Sequence, residues 1–186
     1  MKVELPPTPL ADGVVTLRPW EPGDAPAIAA AFADPESLYW MHQVPDPYTE
    51  GDALDYVRAM DAAWRAHAGG AFAVVETATG EVAGSVGLSV VDAGLAIVEV
   101  GYWAAPAVRR RGITTRALRL LARWLLETAG AARVQLRADV QNVASVRVAE
   151  KAGFTHEGVL RSSGFNHRAG RRIDYAMFSL IPADLG

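Results

Sequence analysis

The sequence predicts a mixed α+β domain, a sheet with helices on both faces, and three observations predict it. The chain reads strand, two helices, three strands, helix, strand, helix, two strands. That order is neither the regular alternation of a doubly wound fold nor an all-β sandwich. Ile113, Ala117, Leu120, Leu121, Trp124 and Leu125 recur at the helical period, with Arg116, Arg119, Arg123 and Glu127 opposite them, as expected of a helix lying on a sheet. Arg133 to Val140 alternates strictly, setting Val134, Leu136, Ala138 and Val140 against Arg133, Gln135, Arg137 and Asp139, the mark of a strand with one buried face.

In chain order, Val14 to Arg18 is a first strand ending at Pro19. Pro22-Gly23-Asp24 introduces an alanine-rich helix from Ala25 to Phe32, with Asp24 as N-cap ahead of Pro26, and Asp34-Pro35 stops it. Glu36 to Tyr48 carries aromatics without a clean period, a short helix followed by a loop. Thr49 or Gly51-Asp52 starts a second long helix that runs to about His67, with Ala53, Tyr56, Val57, Met60 and Trp64 on one side. Gly69-Gly70 is expected to end it.

Phe72 to Glu76 then reads as a strand, followed by a turn at Ala78-Thr79-Gly80-Glu81. Val82 to Val90 sets Val82, Val86, Leu88 and Val90 on one face and the small residues Ala83, Ser85, Gly87 and Ser89 on the other, a face that invites close packing. Asp92-Ala93-Gly94 turns the chain into a strand from Leu95 to Trp103. Gly130 caps the helix that begins at Ile113. Beyond the Arg133 strand, Asn142 to Ala152 is a short helix ending at Gly153. Phe154 to Arg161 and Arg172 to Ile181 close the sheet, joined by the polar segment Ser162 to Gly170.

Composition narrows the function classes. Half of the 186 residues are apolar, the formal net charge is −3, and no linker-like shift or repeat interrupts residues 1–186, which are read as one domain. A nucleic-acid or membrane-surface protein would carry a positive excess, and neither partner is expected. No apolar run approaches a membrane span, and a cytoplasmic address follows by default. Cysteine is absent, which excludes disulfides, thiolate metal sites and a cysteine nucleophile. His42, His67, His156 and His167 show no metal-ligand spacing, so no metal is expected.

The stretch most suggestive of chemistry is Arg109-Arg110-Arg111-Gly112, at the start of the long helix. Unpaired N–H groups and the positive end of the helix dipole disfavour cations there, so arginines in that place suggest an anion held by exposed amides. A solvated arginine run is the alternative.

Val98-Glu99-Val100-Gly101-Tyr102-Trp103, Pro106, Arg109-x-x-Gly112-x-Thr114, Asn142-x-x-Ser145 and Glu150-Lys151-Ala152-Gly153-Phe154 together resemble the GNAT acyltransferase superfamily, and more narrowly its RimJ/RimL-type branch. The resemblance runs from Leu17-Arg18-Pro19 to the final strands. It implies a mixed, mostly antiparallel sheet with splayed central strands and helices on both faces. It also implies an N-acetyltransferase that uses acetyl-CoA. The amides of Arg110, Arg111, Gly112, Ile113, Thr114 and Thr115 would cradle the diphosphate, and Arg109, Arg110 and Arg111 would contact phosphates. The main chain of Tyr102, Trp103 and Ala104 would meet the pantetheine amides, as a peptide adds to a strand edge. Asn142, Ser145 and Lys151 would also touch the coenzyme, although Asn142 equally suits a helix cap. Thr114 departs from the family pattern, which has Gly or Ala there; backbone groups alone are needed, so the cradle tolerates it.

Acetyl transfer to an amine needs a neutral nitrogen, stabilisation of the developing oxyanion and a partner for the leaving thiolate. Glu99, a lone carboxylate in an apolar strand, is expected to be partly desolvated and to act as base; a salt bridge to an arginine is the alternative. Many relatives carry a tyrosine where this chain has Ala149. Ser145, which resembles the serine of the RimJ/RimL branch, and Tyr175 are the remaining candidates for the acid. Trp40, Met41 and Tyr48 are candidate acceptor contacts, and equally candidates for core. The acceptor would be a small-molecule or protein N-terminal amine, and a homodimer is admissible. The rival reading is a non-catalytic acyl-CoA sensor of the same fold.

Overall fold

One sheet of eight strands organises the structure, a computed structural model that describes residues 1–185. The elements are β1 (Leu10–Ala11), β2 (Val15–Pro19), α1 (Ala25–Phe32), α2 (Pro35–Trp40), α3 (Glu50–Arg65), β3 (Gly69–Glu76), β4 (Val82–Asp92), β5 (Ile97–Ala104), α4 (Ile113–Glu127), β6 (Arg133–Asp139), α5 (Val143–Ala152), β7 (Thr155–Asn166) and β8 (Arg171–Leu180). Strand order is β1-β2-β3-β4-β5-β6-β8-β7. Every neighbouring pair is antiparallel except β5 with β6. The mixed, mostly antiparallel architecture is therefore as expected.

Alternate residues of β3 show how the helices are distributed. Phe72 and Val74 belong to a core with Leu118, Leu121 and Leu125 of α4 and Ala149 and Ala152 of α5. Ala71, Ala73 and Val75 belong to a second core with Ile28 and Phe32 of α1 and Ala53 and Val57 of α3. Successive strand side chains point to opposite faces, so the two helix groups cover opposite sides of the sheet.

Four boundaries differ from the sequence reading, each for a local reason. Helix α3 stops at Arg65, and Gly69-Gly70 begin β3 instead of capping the helix. The Trp64 indole lies directly over Gly70, where a Cβ would fall 2.4 Å from the ring, and its Nε1 donates to Ala71 O (3.3 Å). A bulge in the β3–β4 pairing, where Val74 faces Gly84 and Val75 faces Val82, exchanges the faces of Val82 and Ala83, while Val86, Leu88 and Val90 share a face as expected. Ala83 joins the first core with Val86 and Leu88, and Val82 packs on the second. Strand β6 ends at Asp139, leaving Val140 exposed. Ser162 to Asn166 extend β7 through an irregular register, so the closing hairpin is longer than expected.

Asp34 caps α2 by accepting from Ser37 N (2.9 Å), and Thr49 and Asp52 form a capping box on α3. Asp24 precedes α1 but does not cap it with its side chain. Its carboxylate takes both Arg18 nitrogens (2.7 Å each) and the Glu21 N–H (2.9 Å), tying the start of α1 to β2. Burial alone would raise the Asp24 pKa, but these bonds outweigh it and hold the carboxyl below its ordinary value. Asp24→Ala, which leaves Arg18 unpaired, is expected to cost about 2–4 kcal/mol in denaturant unfolding. Because the folded pKa lies below the unfolded value of about 3.9, the contribution is intact above that pH and is lost as pH falls through the folded pKa. The wild type should therefore lose its advantage over the variant on acidification.

Candidate active site

Strands β5 and β6 run side by side for three residues. Ile97, Val98 and Glu99 pair with Arg133, Val134 and Gln135. Beyond them β5 follows β4 as far as Ala104, and β6 follows β8 as far as Asp139. A gap opens between the two strands. The Trp103 carbonyl points at Gly84 of β4, and Ala105 N–H donates to Ala83 O (2.9 Å). Main-chain groups of successive strand residues face opposite edges, so the N–H and C=O groups of Tyr102 and Ala104 face the gap. Trp103 does not offer its main chain there, contrary to expectation. Its indole stacks on Trp20 (6.0 Å between ring centres) and tilts against Phe32 (5.2 Å).

The opposite wall of the gap is the first turn of α5. Asn142 caps it, Oδ1 accepting from Ser145 N (3.0 Å). The capping role of Asn142 is thus observed, and only its amide nitrogen is left for a ligand. The Tyr102 hydroxyl crosses from β5, donating to the Ser145 carbonyl (2.9 Å) and lying 3.0 Å from Ser145 Oγ. Burial pushes the Tyr102 pKa up to about 12, against the opposing effect of the Ser145 hydrogen bond. Lys151 sits in the last turn of α5, roughly 9 Å further along the axis at about 1.5 Å per residue. Its carbonyl accepts from Arg119, and its side chain has no hydrogen-bond or ion-pair partner among the described residues.

The start of α4 supplies a second set of free donors. The first amide to find a helical partner is that of Arg116, which donates to Gly112 O (3.1 Å). Gly112 is the N-cap with φ +80°, and Arg110, two residues earlier, also has a left-handed backbone with φ +64°. A non-glycine residue held in that conformation is strained. Left-handed residues on both sides of Arg111 turn the chain into α4; the Arg111 N–H is taken up by Val108 O (3.3 Å), which leaves the amides of Gly112, Ile113, Thr114 and Thr115 without a main-chain acceptor among the described residues, a geometry suited to an anion. Ile113 and Thr115 bury their side chains beneath this turn, and Thr114 is half-buried.

Two of the three arginines are engaged elsewhere. Arg109 binds Asp34 Oδ2 (2.6 Å), Ser37 Oγ (2.8 Å) and Glu36 Oε2 (2.8 Å), and its hydrogen bond leads the effects that hold the Asp34 carboxyl below its ordinary range. Arg111 pairs through both terminal nitrogens with Glu76 of β3 (2.9 and 2.7 Å). Of the three, Arg110 is exposed and has no side-chain partner among the described residues. The other two guanidiniums pin the turn to α2 and to the sheet.

Glu99 lies on the other face of β5. Val98, Val100 and Tyr102 pack toward α4 and α5, whereas Trp103 joins the core under α1 and α3, so by alternation Glu99 shares the Trp103 side. It is not the lone carboxylate that the sequence suggested. Arg137 donates to its Oε1 from Nη2 (2.7 Å) and Nε (3.2 Å), and Gln135 Nε2 donates to Oε2 (3.2 Å). The arginine salt bridge therefore replaces the desolvated acid. Arg137 also lies over the Tyr175 ring (5.6 Å), which places Tyr175 with Glu99 and apart from Ser145.

Of the expected acceptor contacts, Tyr48 packs on Phe32 (4.9 Å), Met41 packs against the second core, and Trp40 meets Tyr39 edge-on (4.7 Å). Met41 and Tyr48 are thus half-buried at the margin of the second core. Sequence reasoning missed the residues that hold this segment in place. Arg168 donates to Leu38 O (2.8 Å) and Val44 O (2.6 Å), Asn166 to Tyr39 O (3.0 Å), and Arg171 to Asp139 (2.5 Å) and the Tyr39 hydroxyl (3.3 Å). The β7–β8 hairpin is thereby tied to α2, to the segment after it and to the end of β6. Only the arginines crowding that hairpin, Arg168, Arg171 and Arg172, gave any sequence signal.

A strand edge with free amides beside an anion-binding helix start fits an elongated, phosphate-bearing ligand, and the architecture is that of an acyltransferase. Residues 15–155 match the acetyltransferase (GNAT) domain, and the chain belongs to that family and is an N-acetyltransferase. It is 26% identical to the uncharacterized N-acetyltransferase p20 of Bacillus licheniformis over 169 residues, 90% of this chain and 92% of that one. Its fold matches the ribosomal-protein-S5-alanine acetyltransferase from Vibrio fischeri with a TM-score of 0.82 at 19% identity, covering 96% of this chain and 99% of that one. The microcin C7 self-immunity acetyltransferase MccE, solved in complex with acetyl-CoA and AMP, superposes with a TM-score of 0.79 at 18% identity, covering 91% and 93%. No helix among the described residues is long and apolar enough to cross a membrane.

At Gly112 an added Cβ meets nothing within 4 Å, so a substitution there is penalised by backbone conformation alone. Gly112→Ala is expected to lower stability by about 1 kcal/mol in thermal or denaturant melts.

Proposed function

We propose that this N-acetyltransferase takes its acetyl group from acetyl-CoA and delivers it to an α-amine, that of a protein N-terminus or of a small molecule. The observation that carries the reading is the parting of β5 from β6 after Glu99 and Gln135. The turn from Arg110 to Thr115 would hold the diphosphate, with the Arg110 side chain free for a further phosphate. Tyr102 and Ala104 main-chain groups would hold the pantetheine arm, and an N–H of the same edge would stabilise charge developing on the acyl oxygen. The coenzyme supplies a thioester, an acyl group activated for attack by nitrogen. The resident MccE ligand and the Vibrio fischeri fold support the same reading.

The two faces of β5 separate the two halves of the reaction. Glu99 and Tyr175 lie on the α1–α3 side, where the amine would approach, and Tyr102 and Ser145 lie on the α4–α5 side, where the sulfur would leave. Glu99 would accept the proton the amine loses, with Arg137 and Gln135 fixing the carboxylate. A lysine side chain, with a pKa of about 10.4, is almost wholly protonated at pH 7, whereas an α-amine near 8 is already partly neutral. That difference favours an N-terminal acceptor, in keeping with the RimJ/RimL resemblance. Nothing in this scheme calls on nucleic acid or a membrane.

Incubation of the protein with acetyl-CoA and a panel of amines and peptides, read by mass spectrometry and thiol release, should give acetylated α-amines, with turnover rising with pH through about 8. Release of no thiol with any amine contradicts the proposal. Glu99→Gln should lower kcat by roughly 10²-fold or more while calorimetry shows CoA affinity kept.

A further inference from the structure

We propose that Tyr102 is a positioning residue for departure of the thiol, acting through Ser145; the inference rests on the acetyl-transfer reading above. Ser145 is the one hydroxyl-bearing residue of α5, and it is held from two directions. Its amide is fixed by Asn142 Oδ1 (3.0 Å) and its hydroxyl by the Tyr102 phenol (3.0 Å). The Ser145 carbonyl can only accept, so the single Tyr102 proton points to it (2.9 Å), and Tyr102 Oη presents a lone pair to Ser145 Oγ. The serine hydroxyl is thereby kept beside the edge of β5 whose main chain faces the gap.

Neither hydroxyl is consumed. As nitrogen bonds to the acyl carbon, the carbon–sulfur bond breaks and its electron pair goes to sulfur. Ser145 Oγ–H turns from Tyr102 to donate a hydrogen bond to that sulfur, and the Tyr102 proton, shared between the Ser145 carbonyl and Oγ, steadies the oxygen. The thiolate afterwards takes its proton from water, and the proton lost by the amine leaves through Glu99. Because burial pushes its pKa up to about 12, Tyr102 stays a neutral phenol, and so a hydrogen-bond donor, across the working pH range. Tyr102 is also the one side chain that ties β5 to α5 across the gap by a hydrogen bond among the described residues, so the contact that holds the walls apart also aims the serine.

The test compares wild type with Tyr102→Phe, Ser145→Ala and the double variant. The ultraviolet absorbance of the thiolate follows the titration of CoA bound to each protein, and steady-state kinetics follow turnover. In the wild type the bound thiol should titrate below the usual thiol value of about 8.5. Tyr102→Phe should move that titration back toward the free value and lower kcat roughly ten-fold, with KM for acetyl-CoA little changed. The double variant should match Ser145→Ala alone. Wild-type kcat and titration in Tyr102→Phe would overturn the proposal, as would an equal further loss on adding it to Ser145→Ala. Should Tyr102→Phe not fold, Ser145→Ala still decides, because it keeps the Tyr102 bond to the main chain; an unshifted thiol titration in that variant refutes the inference. A wild type that releases no thiol with any amine refutes the acetyl-transfer reading itself, whereas an active wild type insensitive to these changes refutes this inference alone.

Discussion

The separation of two parallel strands after three residue pairs is the constraint on which the rest depends. Had β5 and β6 stayed paired beyond Glu99 and Gln135, the Tyr102 and Ala104 main-chain groups would be spent within the sheet. Parting leaves them unpaired, which a protein interior tolerates only where water or a ligand satisfies them. Beyond the split β5 stays paired with β4 as far as Ala104 and β6 with β8 as far as Asp139, so each diverging strand keeps its own outer partner. The fold thus manufactures a strand edge in the middle of a sheet, where a strand edge is otherwise absent.

Charge placement around the gap follows the same logic of holding parts together. The Arg109 link to Asp34, Glu36 and Ser37 joins the anion-binding turn to α2, and the Arg111 link to Glu76 joins it to the sheet. Asp34 serves both as N-cap of α2 and as partner of Arg109. On the face of the sheet that carries Glu99, the Glu99–Arg137 pair is continued through Gln135 and Arg133 to Glu157 and Ser179. Such pairs at half-exposed positions add little stability singly. Their geometric effect is larger: each fixes the direction of a side chain or loop that borders the gap.

Much of this was legible in the sequence, and what was not has a physical reason. The α4 stripe and its Gly112 start, the Asn142 cap and the β6 alternation as far as Asp139 are local patterns, and they stand where the sequence placed them. The start of the strand between Val82 and Val90 misled, because one bulged residue inverts every side chain before it. Gly69-Gly70 imitated a helix cap, while their small size answers to the β4 backbone at Leu88, which crowds Gly69, and to Trp64 of the preceding helix, which packs on Gly70. The partners of Glu99, Arg109 and Arg111 lie between 35 and 75 residues away, beyond any periodic signal. The same distance hid Tyr102. Its neighbours in sequence make it a strand residue, and only the folded chain brings it to Ser145, 43 residues on.

The central claim, that the bare edge of β5 and the start of α4 together receive the coenzyme, is tested most directly by amide hydrogen exchange with and without CoA. Binding should slow exchange at Tyr102 and Ala104 and in the turn from Arg110 to Thr115, while amides paired within β2, β3 and β4 keep their rates. Unchanged exchange at both places under saturating CoA, or protection confined to another part of the sheet, would contradict it.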